Sequence, residues 1–203
     1  MQSYFITDRT RLFQGDELRS VLGRVAAAGV EMVQIREKDL RAGELEELVT
    51  EAIRLTANWG VKILVNDRFD VALSCGAAGC HLPGTGLPVK EVRRVSPPGF
   101  LIGVSTHHLE EALVAEVDGA DFLVFGPVFP TISKPGVSPA GVEALADVAK
   151  NVRIPVFALG GITPERVAEV SGAGVAGVAG ISVFMGEDSL RRLMNALKAQ
   201  IRV

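Results

Sequence analysis

The sequence predicts a compact (β/α)8 barrel, and three observations carry that expectation. Short apolar runs of strand length recur along the chain and end in polar loops rich in Gly and Pro, as in Asp121-Phe122-Leu123-Val124-Phe125-Gly126-Pro127. An uninterrupted apolar run of this kind belongs to a strand buried on both faces, the situation in a parallel sheet covered by helices. Between these runs lie segments with helical periodicity, so that the 203 residues divide into eight units of roughly 25 residues each. A weak internal echo marks the passage from helix to strand, as Ala28-Gly29-Val30, Gly76-Ala77-Ala78, Gly119-Ala120-Asp121 and Gly172-Ala173-Gly174. An open doubly wound sheet is the rival. Six strands are its usual size, however, and the first turn has no Gly-x-Gly-x-x-Gly fingerprint.

Taken in order, Tyr4 to Thr7 reads as the first strand. Leu18, Val21, Leu22, Val25 and Ala26 share one helical face, closed by Gly29 at a C-terminal position. Glu31 to Ile35 is the second strand and delivers Arg36, Glu37 and Lys38 to its end. A stripe of Leu45, Leu48, Val49, Ala52 and Leu55 follows. Lys62 to Val65 is the third strand, ending in Asn66-Asp67-Arg68, and a short helix runs through Val71-Ala72-Leu73. Gly79 to Leu82 is a brief fourth strand, followed by Pro83-Gly84-Thr85-Gly86 and a weak helix over Pro88 to Val95. The fifth strand, Phe100 to Val104, delivers Ser105, Thr106 and His107. Leu109, Ala112 and Leu113 begin a helix before the sixth strand, Phe122 to Phe125. Val142, Leu145, Ala146 and Val148 precede the seventh strand, Pro155 to Leu159. Arg166, Val167 and Val170 precede the eighth, Val175 to Ile181, and Leu190 to Ile201 closes the chain. The expectation is one domain over 1–203.

Bulk composition narrows the function classes. Twenty-one basic residues against 24 acidic ones leave a net charge of −3, too balanced for nucleic acid or an anionic membrane as a partner. The start has neither a basic n-region nor an apolar h-region, and no stretch reaches the ~18 apolar residues of a membrane span, so a cytoplasmic location is expected. Cys75 and Cys80 lack metal-ligand spacing and read as ordinary buried thiols. Homo-oligomerisation is left open.

In a barrel of parallel strands the chemistry collects at the carboxyl ends. Those ends supply Arg36, Lys38, Asn66, Asp67, Ser105, His107, Thr131, Ser133 and Lys134. Gly160-Gly161 after strand seven and Gly180-Ile181-Ser182 at the end of strand eight suit a phosphate held by backbone amides, the alternative being glycines that only permit tight turns. Alternation puts Arg36 and Lys38 on one side of their strand end. Asn66-Asp67 suits a hydroxyl, a metal or a ring amine, or else caps the next helix. His107 is placed for general acid/base work, or else belongs to the start of helix five. His81, inside a buried strand, reads as a satisfied structural histidine, and His108 as exposed.

These motifs resemble the family of thiamine phosphate synthase and its relative, the thiazole tautomerase. The resemblance spans nearly the whole chain: Ile6-Thr7-Asp8, Gln34-Ile35-Arg36-Glu37-Lys38, Asn66-Asp67-Arg68, Ile102 to His107, Phe125 to Thr131, Ala158 to Ile162 and Ile181-Ser182. For the synthase it implies a pyrimidine methyl diphosphate on Gln34, Arg36, Lys38 and Asn66, with Ser105 and Lys134 nearby. Thr131 and Ser133 would face the thiazole phosphate, whose anion would sit on Gly160, Gly161, Ile181 and Ser182. Asp67 matches one of two carboxylates that hold Mg²⁺. The second belongs to a Gly-Gln-Glu-Asp stretch after strand four, which here reads Pro83-Gly84-Thr85-Gly86. Missing that acid, the loop is more similar to the tautomerase branch, which needs no cofactor and in which His107 matches the proton shuttle. The expectation is therefore a tautomerase-like isomerase acting on a small phosphorylated thiazole. The synthase, with Mg²⁺, is the alternative, and a non-catalytic thiazole phosphate binder a third.

Overall fold

A computed structural model describes residues 1–133 and 136–200. Eight parallel strands close on themselves in sequence order, each paired with its neighbour in the chain and the eighth with the first. They are β1 (Gln2–Ile6), β2 (Met32–Ile35), β3 (Lys62–Asn66), β4 (Gly79–Leu82), β5 (Leu101–Thr106), β6 (Phe122–Phe125), β7 (Val156–Leu159) and β8 (Gly177–Gly180). The barrel expectation stands. Two boundaries move in ways that matter for the site. β5 runs on to Thr106, which puts Ser105 on the strand itself, and β8 stops at Gly180, ahead of the expected Ile181.

The helices form the outer layer: α1 (Leu18–Ala27), α2 (Ala42–Thr56), α3 (Phe69–Ser74), α4 (Val89–Val95), α5 (Leu109–Val117), α6 (Gly141–Asn151), α7 (Val167–Gly172), α8 (Ser182–Met185) and α9 (Glu187–Ala199). Their inward faces carry the expected stripes. In α1 the buried residues are Leu18, Val21, Leu22, Val25 and Ala26, and in α2 they include Leu45, Val49 and Ala52. The short α8, directly after β8, was not foreseen. Four residues are too few for a periodic pattern to register. The echo in the sequence has a common geometry: Gly29, Gly76, Gly119 and Gly174 all have positive φ, the turn by which a helix end feeds the next strand.

Strand alternation divides the core into two layers. Outward-facing residues such as Phe5, Val33, Ile63, Ile102 and Leu123 pack against the helices. Inward-facing Tyr4, Ile6, Met32, Leu64, Phe122, Val124, Phe157 and Ala179 fill the barrel. Tyr4, Phe122 and Phe157 meet edge to face, with ring centroids 5.5 to 6.0 Å apart, an arrangement worth about 1 kcal/mol per pair beyond area burial. The packing requires a glycine opposite: a Cβ on Gly103 would fall 2.2 Å from the Phe122 ring and 2.8 Å from Nδ1 of His81. This plug closes the barrel below and leaves the carboxyl end as the open mouth. Among the described residues, no helix is long and apolar enough to cross a membrane.

Candidate active site at the barrel mouth

A cavity of about 520 Å³ opens at the carboxyl ends of the strands. It brings together Gln34, Arg36, Lys38, Asn66, Ser105, His107, Thr131, Ser133, Gly160, Gly161, Ile181 and Ser182 from six separate strand ends. Lys134 lies outside the described residues. Asp67 is exposed at the rim, next to Asn66, and does not line the cavity.

The cation side is built by β1 and β2. Arg36 and Lys38 both face the mouth, as alternation requires, while Glu37 between them turns inward and is only 4% exposed. Its carboxylate accepts from Thr7 Oγ1 at 2.6 Å and from the Arg9 amide at 3.2 and 3.1 Å, one contact to each oxygen. Thr7 Oγ1 in turn accepts from the Arg36 amide at 2.9 Å. Burial pushes the Glu37 carboxyl above its ordinary range, and the Thr7 and Arg9 hydrogen bonds offset part of that rise. Glu37 thus ties the end of β1 to the end of β2 and sets the direction of both cations. Arg11, held by Asp8 at 3.0 Å, lines the same side and was missed in the sequence because it sits on a single 3-10 turn, Arg9–Arg11, too short to leave a periodic pattern.

Asn66-Asp67 does not act as a helix cap. The residue capping α3 is Arg68, and no side chain hydrogen-bonds there. Asp67 instead has φ of +63°, and its amide donates to the His81 carbonyl at 2.8 Å. Left-handed backbone at a residue other than Gly is sparsely populated and concentrates at functional positions. The Asp67 carboxylate has no hydrogen-bond partner among the described residues.

On the far side of β1, Gly160 and Gly161 have φ of +98° and +65°. A Cβ on Gly161 would fall 2.6 Å from the Pro130 carbonyl oxygen and 2.7 Å from Phe129 Cβ. The glycine is therefore required by packing between the β6 and β7 loops as well as by its dihedrals, which is the tight-turn alternative. Arg166 fastens the two loops. Its Nη1 donates to the Gly161 carbonyl at 2.6 Å and its guanidinium lies 4.4 Å from the centre of the Phe129 ring. The amides of Gly161 and Ile162 have no protein acceptor among the described residues, which leaves them available to an anion.

The histidines separate. His107 donates or accepts through Nδ1 at the Gly126 carbonyl, 2.6 Å away; a carbonyl only accepts, so Nδ1 carries the proton. Its amide donates to Glu111 Oε2 at 2.6 Å, which places it at the approach to α5 as well as on the cavity wall. His108 is exposed as expected. His81 departs from expectation. It is buried, but Nδ1 has no partner among the described residues, Nε2 lies 2.8 Å from Ser105 Oγ, and the ring forms part of the cavity wall. The sequence placed it in a buried strand but could not show that it points to the floor of the mouth.

A family model described as thiamine monophosphate synthase matches residues 3–184. The chain belongs to that family. A Geobacter sulfurreducens relative is 45% identical over 97% of this chain and 92% of its own length. The thiamine-phosphate synthase of Methanoculleus marisnigri is 38% identical, covering 98% of this chain and 94% of its own. Among solved structures, the thiamine phosphate pyrophosphorylase of Pyrococcus furiosus superposes with a TM-score of 0.89 at 33% identity, covering 99% of this chain and 97% of its own. Membership makes the chain an enzyme.

These relatives overturn the tautomerase expectation, and with it the isomerase chemistry assigned to His107. That expectation rested on one loop, Pro83 to Gly86, and on the absence of a second carboxylate there. The physical premise was too strong. Mg²⁺ is commonly held by one or two carboxylates together with water and substrate phosphate oxygens, so a single acid is compatible with diphosphate chemistry. The features shared with the synthase, Gln34 to Lys38 and Asn66-Asp67, stand at the ends of two paired strands, β2 and β3, which one loop does not outweigh.

Proposed function

We propose that this chain is a thiamine-phosphate synthase, coupling a pyrimidine methyl diphosphate to a thiazole phosphate with release of pyrophosphate. The observation that carries this reading is the division of one mouth into two anion-binding sides. Guanidinium and ammonium groups stand at β2, and free backbone amides stand at the β7 and β8 loops. A reaction that joins two phosphorylated substrates needs two such sides. An isomerase working on one of them needs only the second.

In this reading Arg36 and Lys38 take the diphosphate, Arg36 through its planar fork and Lys38 as a mobile point charge. Gln34, buried with its Nε2 donating to the Tyr4 hydroxyl at 3.0 Å, turns its remaining groups to the pyrimidine. Asn66 and Ser105 flank the same ring, and Lys134 belongs to this group by resemblance. The Gly160-Gly161 loop and Ile181-Ser182 hold the thiazole phosphate, with Thr131 and Ser133 on the intervening loop. Bringing the two rings together in a shared cavity turns a bimolecular step into an internal one. The diphosphate then leaves with the electron pair of its carbon–oxygen bond while the thiazole takes the vacated carbon. The negative charge that develops on the leaving group lies against Arg36 and Lys38.

The residues present fit a magnesium ion of modest protein ligation. Asp67 offers a solvent-facing carboxylate without a partner, and the described residues contain no preformed cluster of three or more His, Cys, Asp or Glu. Mg²⁺ on Asp67 and the diphosphate would neutralise the leaving group and orient it.

The test is a coupling assay with both substrates, run with Mg²⁺ and after chelation, following thiamine phosphate and pyrophosphate. Equimolar formation of both products, dependent on Mg²⁺, is the expected result. Arg36→Ala should raise KM for the diphosphate substrate and leave that for the thiazole phosphate near its original value. No coupling at any Mg²⁺ concentration by folded protein overturns the proposal.

A further inference from the structure

The floor of the mouth contains a buried polar group to which the reaction described above gives no part. His81 is 2% exposed, lies on β4, and is flanked by Tyr4 and Phe122, with ring centroids at 6.0 and 6.2 Å. Nε2 is 2.8 Å from Ser105 Oγ on β5. Nδ1 is buried without a partner among the described residues and faces Gly103, where a Cβ would come within 2.8 Å of it.

The direction of the His81–Ser105 hydrogen bond follows from these contacts. A neutral imidazole carries one N–H, on either nitrogen. With the proton on Nδ1, a buried N–H would face Gly103 with nothing to accept it, and orphaned buried donors are the rarest of unpaired groups. With the proton on Nε2, the orphan is only a lone pair, and Nε2–H donates to Ser105 Oγ. A charged ring would carry an N–H on both nitrogens and so leave the same orphaned donor at Nδ1, so the form that fits this site is the neutral ring protonated on Nε2. One of the two lone pairs of Ser105 Oγ is then taken, and its hydrogen cannot be directed at His81. Its own hydrogen has no protein acceptor among the described residues, and the hydroxyl lines the cavity.

We propose that His81 is a positioning residue that commits Ser105 to act as a hydrogen-bond donor into the mouth, so that this subsite selects a substrate group presenting a lone pair. A rotatable hydroxyl alone could spend its hydrogen on His81, whereas one accepting from His81 keeps that hydrogen for the mouth and has one lone pair fewer to offer a donor such as an amino or hydroxyl hydrogen. Two acceptors on the diphosphate substrate fit: a ring nitrogen of the pyrimidine and an oxygen of the diphosphate. The inference rests on the synthase reading for the identity of the substrate, but not for the direction of the His81–Ser105 bond.

That direction is measured on wild-type protein labelled with ¹⁵N-histidine. Nitrogen shifts that assign a protonated Nε2 and an unprotonated Nδ1 to His81 at neutral pH are expected. A protonated Nδ1 overturns the proposal whatever reaction the protein catalyses. The consequence for binding is read with His81→Gln, which retains a donor, His81→Met, which does not, and Ser105→Ala. His81→Met and Ser105→Ala should each weaken binding of the diphosphate substrate about tenfold, the double variant no further, and His81→Gln should recover most of the loss. Additive losses in the double variant, or a His81→Gln variant as impaired as His81→Met, overturn it. Titration of Ser105→Ala with inorganic pyrophosphate and with the unphosphorylated aminopyrimidine alcohol separates the two acceptors. Weakening of either alone supports the assignment and names the atom, and weakening of neither overturns it. A wild-type protein with the expected tautomer that forms no thiamine phosphate counts against the synthase reading alone.

Discussion

A side chain placed on Gly86 would begin 3.1 Å from Oδ1 of Asp67, although nineteen positions separate the two in the chain. The loop after β4 therefore returns to the rim beside the Asp67 carboxylate, which has no partner among the described residues. The second acid of the synthase motif, had this loop kept it, would stand next to Asp67. Gly86 is not among the residues with positive φ, so the backbone accepts a side chain there. The space is close, with Pro83 Cδ at 3.0 Å and its carbonyl at 3.1 Å.

Gly86→Asp should therefore strengthen the Mg²⁺ site. The Mg²⁺ concentration giving half-maximal coupling should fall on the order of tenfold, equivalent to about 1.4 kcal/mol of added binding. Proline 83 must yield by a few tenths of an ångström, so Tm should drop slightly. Initial rates across a Mg²⁺ titration of both proteins check this, and an unchanged midpoint would remove Gly86 from the metal's surroundings.

Glu37→Gln should loosen the clamp between β1 and β2. The amide keeps one acceptor oxygen but puts an NH2 group where Oε2 now accepts from the Arg9 amide, so Arg36 and Lys38 lose part of their fixed direction. KM for the diphosphate substrate should rise several-fold while KM for the thiazole phosphate stays put. Stability should show a pH signature as well. Glu37 titrates above its ordinary 4.5 in the folded protein, so the folded state holds this proton more tightly than the unfolded one. Its contribution is then most favourable below the ordinary carboxylate range and declines as pH rises through the raised value. The stability advantage of wild type over Glu37→Gln should accordingly shrink between pH 4 and pH 7 in urea titrations. An advantage that grows over this range would contradict the assignment.

Arg166→Met should act on the other side of the mouth. It removes the bond to the Gly161 carbonyl and the stacking on Phe129, contacts together worth about 1–3 kcal/mol at a partly buried site. The expected outcome is weaker thiazole phosphate binding by calorimetry, about fivefold, with pyrophosphate binding intact. Gly161→Val is the wrong probe for this loop, because its Cβ would collide with Pro130 and Phe129 before any anion is considered. A thermal scan should show that variant unfolding well below wild type.

The alternation of eight apolar runs with eight helical stripes was enough to specify the barrel, and the position of Arg36, Lys38, Asn66 and Ser105 after those runs was enough to place them at its mouth. Both are local matters. Strand period, helix period and the polarity of the next few residues are written within a dozen positions of one another, and parallel strands all present their carboxyl ends to one side. What needed the closed barrel were the contacts between units: Gly86 beside Asp67, His81 under Ser105, Arg166 across to Phe129, and Glu37 turned inward to serve Thr7 and Arg9. Each joins separate strand ends or loops, and their meeting depends on strand register and barrel closure, which no local pattern encodes. The tautomerase expectation failed for the same reason. It judged the Pro83 to Gly86 loop by its own residues, whereas the chemistry of a barrel mouth belongs to the groups that the closed sheet assembles around one space.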